Sequence, residues 1–314
     1  MSFLQTVRRS QVQVFSLCSL VLLNYISMPI FAAEEKLFIA TPLTKKNSFT
    51  SGIEGPACDR DGNIFAVNFA RQHTIGRTSP EGKSEIFVEL PEGSTGNGIR
   101  FDSHGTMFVA DYSGHNVLKV DPKTRKVEVL AHSDQMNQPN DLAIAANGTL
   151  YASDPHWGNG TGQLWRIDRE GTITRLADKL GTTNGIEVSP AGKTLYVNES
   201  VQRSIWAFPL LPEGKLGKRR LLHTFEEHSL DGMRCDVEGN LYVSRHGAGL
   251  VVKMSSDGKI LQKIDVLGAM PSNLCFGGPD GRTVYVTEVE HRRLVQFRVD
   301  QPGLSWQRLQ LVEK

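Results

Sequence analysis

One short sequence pattern recurs six times along the chain at nearly regular intervals. The copies begin at Glu54, Asn97, Asn140, Asn184, Asp231 and Asn273, so successive copies are 43, 43, 44, 47 and 42 residues apart. A fixed period of this length marks a repeat protein, in which each repeat forms one supersecondary unit. This repeat constrains the fold more than any other feature of the sequence.

Each copy has the order strand, tight turn, strand. A glycine lies eight residues after the first residue of every copy, and an apolar, β-branched or aromatic run such as IFAV, LYVN or VYVT follows it. Further strand signals, including HNVLKVD and GQLWRID, leave room for about four short strands per repeat, as in a propeller blade. We therefore predict an all-β fold with almost no helix, a six-bladed β-propeller with four antiparallel strands per blade. Residues 36–43 are predicted to close the ring against the last blade.

The N-terminus differs from the repeats. Two arginines precede the apolar stretch VFSLCSLVLLNYISMPIFAA, and no charged residue follows until Glu34. This pattern predicts a signal peptide over residues 1–33, cleaved after Ala32 or Ala33, and an exported protein, periplasmic or secreted. Polar residues inside the stretch favour cleavage over membrane anchoring, although an uncleaved anchor stays open. The propeller domain is then residues 34–314.

Charge and cysteine content limit the classes of partner. A formal net charge of +1 without long basic runs argues against a nucleic-acid surface, so we expect a small-molecule partner. Cys58, Cys235 and Cys275 lie outside the signal, and an odd number cannot complete a disulfide framework. Because no CxxC spacing occurs, we interpret them as buried apolar residues rather than a zinc or redox site.

The first residues of the six copies all carry a side-chain oxygen. The inner strands of a propeller begin at the same face, so these six residues are predicted to converge at the mouth of the central channel. Two carboxylates and four amides without His or Cys form a set of hard ligands. Such a set suits Ca²⁺, Mg²⁺ or Mn²⁺ rather than copper or a thiolate zinc site.

A simpler explanation is that these residues belong to turns, since Asn-Gly and Asp-Gly are common hairpin dipeptides. Three details argue against it for the whole set. The hairpin glycine is the later one, Glu54 is a poor turn residue, and Asn140 is followed by Asp141 instead of glycine.

Several motifs make the chain resemble a known family between about Glu54 and Glu290. They are EGPACD, QPNDLAIAANGTLYASDP, TNGIEVSPAGKTLYVNES, LDGMRCDVEGNLYVS and PSNLCFGGPDGRTVYVTE. These stretches resemble the SMP-30/gluconolactonase/LRE-like proteins, which are related to the paraoxonase-type and diisopropylfluorophosphatase-type six-bladed propellers. The resemblance implies a metal-dependent hydrolase that opens a lactone.

The resemblance also implies roles for individual residues. It places a divalent cation on Glu54, Asn184 and Asp231, with Asn140 as a fourth ligand or a contact to substrate. Ca²⁺ is favoured, and Mg²⁺, Mn²⁺ and Zn²⁺ stay open. Asp231 is the candidate catalytic proton shuttle. Animal members have an arginine where this chain has Gln138, so specificity for gluconolactone does not follow.

The loop SDPHWG adds two candidate substrate contacts. His156 and Trp157 follow the second strand of the third repeat and are predicted to form a pocket wall. The alternative for His156, a surface residue beside a proline turn, has equal weight. His246 holds a comparable place in the fifth repeat.

Two other functions remain open from the sequence. One is a non-catalytic propeller that binds a ligand or a protein through the same face, because a fold does not determine function. The other is phosphotriester hydrolysis, since the same cation can polarise a P=O group. Two carboxylates at one axial point, Glu54 and Asp231, favour a cation-dependent hydrolase over a binder. After signal cleavage we expect no stable membrane insertion.

Overall fold

Six separate four-stranded antiparallel sheets account for nearly all regular structure in the computed structural model, which describes residues 35–311. Five sheets are built from four strands that follow one another along the chain, and the sixth takes its outer strand from the N-terminal side. The six-bladed β-propeller predicted from the repeat is therefore confirmed. The predicted signal peptide lies outside the described residues.

The strands follow the repeat closely. Blade one contains β2 (Glu54–Cys58), β3 (Ile64–Val67), β4 (Thr74–Thr78) and β5 (Ser84–Glu89). Blade two contains β6 (Gly96–Phe101), β7 (Met107–Asp111), β8 (Asn116–Val120) and β9 (Val127–His132). Blade three contains β10 (Leu142–Ile144), β11 (Leu150–His156), β12 (Thr161–Ile167) and β13 (Ile173–Leu180).

The second half of the ring repeats this order. Blade four contains β14 (Thr183–Val188), β15 (Thr194–Glu199), β16 (Ser204–Pro209) and β17 (Arg220–Thr224). Blade five contains β18 (Met233–Cys235), β19 (Leu241–Arg245), β20 (Leu250–Met254) and β21 (Ile260–Asp265). Blade six contains β22 (Pro271–Gly277), β23 (Thr283–Glu288) and β24 (Arg293–Arg298), with β1 (Thr41–Pro42) as its fourth strand.

The hairpin turn between the first two strands of every blade uses the predicted glycine. All six glycines have φ between 67° and 86°, in the left-handed region that other residues rarely adopt. They are Gly62, Gly105, Gly148, Gly192, Gly239 and Gly281. The later glycine of each repeat is therefore the turn residue.

The ring is closed by contacts at its centre and at its outer edge. The inner strand β2 packs against β6 on one side and against β22 on the other, so blade one meets blade six. At the outer edge Thr41 pairs with Gln296 and Pro42 pairs with Val295. This pairing confirms that the segment before the first repeat covers the edge of the last blade.

Apolar side chains fill the spaces between adjacent blades. Six clusters of buried residues each combine side chains from two neighbouring blades, such as Phe65 with Ile99 between blades one and two. The cluster between blades six and one includes Ile64, Cys58 and Cys275. The two thiol sulfurs lie 3.5 Å apart, and Cys58, Cys235 and Cys275 are all buried and unbridged, as predicted.

One short helix, α1 (Leu304–Gln310), follows the last blade. Leu304 and Leu309 are buried, and α1 contacts β18 and β22. The Arg308 guanidinium donates from Nη1 to the Ile144 carbonyl at 2.6 Å, so α1 also reaches blade three. Within residues 35–311, no helix is long and apolar enough to span a membrane.

Candidate functional site

Five of the six residues predicted to form a ring occupy equivalent positions at the start of the inner strands. Strand pairing fixes the equivalence, because Ala57, Arg100, Ala143, Glu187 and Arg234 each pair with the aromatic residue of the second strand. Counting back three residues gives Glu54, Asn97, Asn140, Asn184 and Asp231. The prediction of a shared position is confirmed for these five.

The sixth position was predicted wrongly by one residue. In blade six Cys275 pairs with Tyr285, so the equivalent of Asn140 is Ser272. Backbone bonds agree, since Gly98 donates to the Asn140 carbonyl at 2.8 Å and Gly232 donates to the Ser272 carbonyl at 2.7 Å. Strand β22 continues one residue further before its turn than β2 does, and this extra residue preserved the eight-residue interval in the sequence and concealed the shift.

Three of the glycines that follow ring residues are required by close packing between blades and not by a turn. Gly98, Gly185 and Gly232 lie outside the left-handed region. A Cβ atom on Gly98 would lie 2.4 Å from Asp141 Oδ1, and one on Gly185 would lie 2.4 Å from the Asp231 carbonyl oxygen. The turn explanation for the Asn-Gly and Asp-Gly pairs therefore fails at these positions.

The amide oxygens of the ring lack protein partners. Oδ1 of Asn97, Asn140 and Asn184 is buried, and none of the three accepts a hydrogen bond from the described residues. Buried side-chain oxygens normally have a partner, so three such oxygens at one site are available to bind a cation or water. Asn140 and Asn184 are only 4% and 2% exposed, whereas Glu54, Asn97 and Asp231 are partly exposed.

The two carboxyl groups of the ring share an unfavourable environment for negative charge. Burial, with a smaller contribution from the charge of Asp141, raises the pKa of Glu54 to about 7 against the opposing effect of the hydrogen bond from the Gly55 N–H. Burial also raises the pKa of Asp231 well above its usual range, and the neighbouring Glu54 carboxyl adds to this shift. A cation between the two groups would remove this cost.

This donor set fits a hard divalent cation. No three His, Cys, Asp or Glu side chains cluster as a metal site within residues 35–311. Any cation at the channel mouth would therefore be bound by two carboxylates together with amide oxygens, and the orphaned oxygens of Asn140 and Asn184 are suitable.

A buried ion cluster lies one layer deeper in the channel. Asp141 Oδ2 accepts from Arg234 Nη1 at 2.8 Å, and Asp141 Oδ1 lies 3.1 Å from Arg100 Nη1. The Asp141 side chain is fully buried, and the two arginines lower its pKa against the effect of burial. Sequence analysis identified Asp141 only as the residue in place of a glycine and did not predict this cluster.

In five blades a residue near the end of the second strand holds the loop that leads to the ring residue of the same blade. In blade three Asp154 accepts from the backbone N–H of Asn137 at 2.9 Å and of Gln138 at 2.6 Å, just before Asn140. Four other blades use the equivalent residue on their own loops. These residues are Asn68, Asp111, Glu199 and Arg245. Asp111 and Glu288 also accept hydrogen bonds from backbone N–H groups that follow their own strands, those of Gly114 and His291.

Asn198 is a functional candidate that sequence analysis missed. Its Oδ1 accepts from the Gly185 N–H at 3.1 Å, and its Nδ2 donates to the Asp231 carbonyl. Asn198 therefore joins blades four and five between two ring residues. The only sequence signal was an amide in LYVNE, where blades three and five have serine.

The predicted substrate contacts His156 and Trp157 lie at the end of β11 and in the short turn after it. His156 Nδ1 accepts from the Asn159 N–H at 3.2 Å and so caps a short 3₁₀ turn, and Trp157 is 36% exposed. Gln138 Nε2 donates to the Tyr112 hydroxyl at 2.7 Å, and its Oε1 accepts from the Trp157 N–H. The structure thus gives His156 a local structural role, and a contact with substrate stays a prediction.

Known proteins resemble this chain over most of its length. The profile of the SMP-30/gluconolactonase/LRE-like region matches residues 51–290. A gluconolactonase from Zymomonas mobilis is 28% identical over 288 residues, which is 80% of each chain. A 6-deoxy-6-sulfogluconolactonase from Pseudomonas putida is 29% identical over 73% of this chain and 80% of its own. The crystal structure of a calcium-binding regucalcin from Agrobacterium tumefaciens superposes with a TM-score of 0.70, at 22% identity, over 81% of this chain and 94% of its own.

Proposed function

The chain belongs to the SMP-30/gluconolactonase/LRE-like family, and from this we propose that it is a divalent-metal-dependent lactonase with its site at the channel mouth. The observation that carries the proposal is the combination of two interacting carboxyls with three orphaned amide oxygens at one end of the channel. The relatives named gluconolactonase and 6-deoxy-6-sulfogluconolactonase support a lactone as the substrate.

Glu54, Asn184 and Asp231 would hold the cation, and Asn140 would be either a fourth ligand or a contact to substrate. Ca²⁺ is the favoured ion, because oxygen-only ligand sets suit it and a structural neighbour is described as calcium-binding. Mg²⁺, Mn²⁺ and Zn²⁺ are the alternatives. When bound, such a cation polarises a carbonyl and makes water more acidic.

Asp231 is the proposed general base and then general acid. Its carboxylate accepts a proton from the attacking water while the water oxygen bonds to the lactone carbonyl carbon. The ring C–O bond then breaks, and Asp231 returns the proton to the leaving alkoxide, which gives a hydroxy acid.

Asn198 and the residues that hold the loops before the ring do not contact substrate in this proposal. Asn198 fixes the Asp231 backbone against Gly185, and the residues at the ends of the second strands fix the loops that carry the ring. Preorganisation of this kind is needed because small displacements of a catalytic group are costly.

A substrate panel tests the proposal. Aldonolactones, aliphatic γ-lactones, aryl esters and an aryl phosphotriester should be assayed with protein treated with a chelator and with the same protein after return of each cation. We expect hydrolysis of at least one lactone class that chelation abolishes and a cation restores. Preferred turnover of the phosphotriester would support the phosphotriesterase alternative, and no turnover of any substrate would support a binding protein.

A further inference from the structure

A cavity of about 400 Å³ lies at the face of the propeller opposite to the ring. Its wall is formed where the inner strands of blades two to four end and where α1 crosses that face. Phe101, Phe108, Leu130 and Ile144 supply apolar surface, and Arg100, Glu187 and Arg308 supply polar groups. This volume is in the range of small-molecule binding sites, which are typically about 300–1,000 Å³.

The polar groups of this cavity carry an excess of positive charge. Arg100 and Glu187 are each 5% exposed. Arg100 and Arg234 share the single carboxylate of Asp141. The residues that line the cavity include four cationic side chains (Arg100, Lys119, Arg169 and Arg308) and three carboxyls (Asp102, Asp168 and Glu187), and burial raises the pKa of Glu187. Uncompensated charge away from water is costly, so the excess favours an anionic ligand.

Arg308 has an unused donor at this cavity. Its Nη1 donates to the Ile144 carbonyl at 2.6 Å, whereas Nη2 is buried and has no hydrogen-bond partner among residues 35–311. Two acids at the cavity wall are already engaged, since Asp102 accepts from the Thr106 N–H and Asp168 accepts from the Thr172 N–H. The free Arg308 donor is therefore the group best placed to receive an anion.

We propose that this cavity binds a small organic monoanion, with a flat apolar body against Phe101, Phe108 and Ile144 and a carboxylate on Arg308. The apolar wall disfavours a bare inorganic anion, and the excess of cationic side chains disfavours a metal cation. A guanidinium forms strong charge-assisted hydrogen bonds with carboxylates. This site is separate from the ring and does not depend on lactone hydrolysis.

Calorimetric titration of 1-naphthoate into the full-length protein tests the proposal, with 1-naphthamide as the uncharged analogue. We expect one binding site per chain and much weaker binding of the amide. Arg308→Gln should weaken naphthoate binding about tenfold or more, the cost of losing a charged hydrogen bond. Arg308→Lys should keep more affinity than Arg308→Gln, and Arg220→Gln, an exposed arginine of β17 outside the cavity, should bind as wild type.

A second variant covers the case in which Arg308 substitutions impair folding. Thr106 lines the cavity, so Thr106→Trp should reduce its volume and block binding while leaving every ionic group in place. Three results would overturn the proposal: no binding of naphthoate to wild type, equal affinity for naphthoate and naphthamide, or unchanged affinity in folded Arg308→Gln and Thr106→Trp.

Discussion

Glu54 in blade one and Asp231 in blade five act on each other across the channel mouth. Burial raises the pKa of both carboxyls. The hydrogen bond with Asp231 lowers the pKa of Glu54, whereas the charge of Glu54 raises the pKa of Asp231. The two carboxyls are therefore coupled, and the pH at which protons are lost is a property of the pair. Each carboxyl comes from a different blade, so the closed ring of blades is what brings the pair together.

This pair predicts an unusual pH dependence for the stability of the metal-free protein. In the unfolded chain the two carboxyls ionise near 4.5 and 3.8, whereas in the folded protein they keep their protons to higher pH. The folded state then binds more protons, so the free energy of unfolding should fall as pH rises from about 5 to 8. Urea unfolding in the presence of a chelator measures this slope.

Glu54→Gln isolates the contribution of the pair. The metal-free variant should be more stable than wild type at pH 8 and should lose cation affinity, because it removes one unfavourable charge and one ligand. Glu226→Gln, at an exposed position, should change neither property. Equal stability of Glu54→Gln and wild type at pH 8 would contradict this explanation.

Asn198→Ala, compared with Asn240→Ala, tests whether Asn198 positions Asp231 or only stabilises the fold. The substitution leaves the Gly185 N–H and the Asp231 carbonyl without their partner, which should cost about 1–3 kcal/mol in unfolding free energy. Cation affinity and kcat should also fall, because the Asp231 backbone is no longer held. Asn240→Ala removes a comparable bond, from Asn240 to Asp236 in the hairpin turn of blade five, and should lower stability alone. Equal functional loss in both variants would show that Asn198 has no positioning role.

Asp141→Ala should be among the most damaging substitutions in the channel. It leaves the buried guanidiniums of Arg100 and Arg234 without their shared carboxylate, and breaking a buried pair in this way typically costs about 3–5 kcal/mol. Glu85→Ala in the exposed pair with Arg77 is the control and should cost about 1 kcal/mol or less. Urea unfolding measures both changes, and an equal loss of unfolding free energy in the two variants would contradict a stabilising role for the channel cluster.

The blades could be predicted from sequence because the signals are local. A hairpin glycine with positive φ recurs in each repeat, and a run of apolar, β-branched or aromatic residues follows it. The same local logic failed in blade six, where one extra residue in strand β22 compensated for a shift of the ring position from Asn273 to Ser272.

The rest of the site depends on contacts that no local pattern contains. Arg234 and Asp141 are 93 positions apart in the chain, and they meet only because their inner strands line one channel. Asn198 acquires its role from the approach of blade five to blade four. The chemistry of the ring residues could be predicted, whereas the groups that hold them could not.

Export remains a prediction from residues 1–33, which lie outside the described structure. The apolar stretch that ends in two alanines should be removed by a signal peptidase. Edman sequencing of protein recovered from the exported fraction should begin near Ala33 or Glu34. An intact Met1 on soluble cytoplasmic protein would contradict it.

The most direct test of the central claim is kcat/KM for the best lactone substrate, measured as a function of free Ca²⁺ for wild type, Asp231→Asn and the exposed control Asp134→Asn. Asp231→Asn keeps the size of the side chain but removes one ligand charge and the proposed base. Wild type and Asp134→Asn should rise to saturation from near-zero activity, whereas Asp231→Asn should need more Ca²⁺ and remain lower by about 10² or more at saturation. Full activity in metal-free wild type, or in Asp231→Asn, would contradict the account.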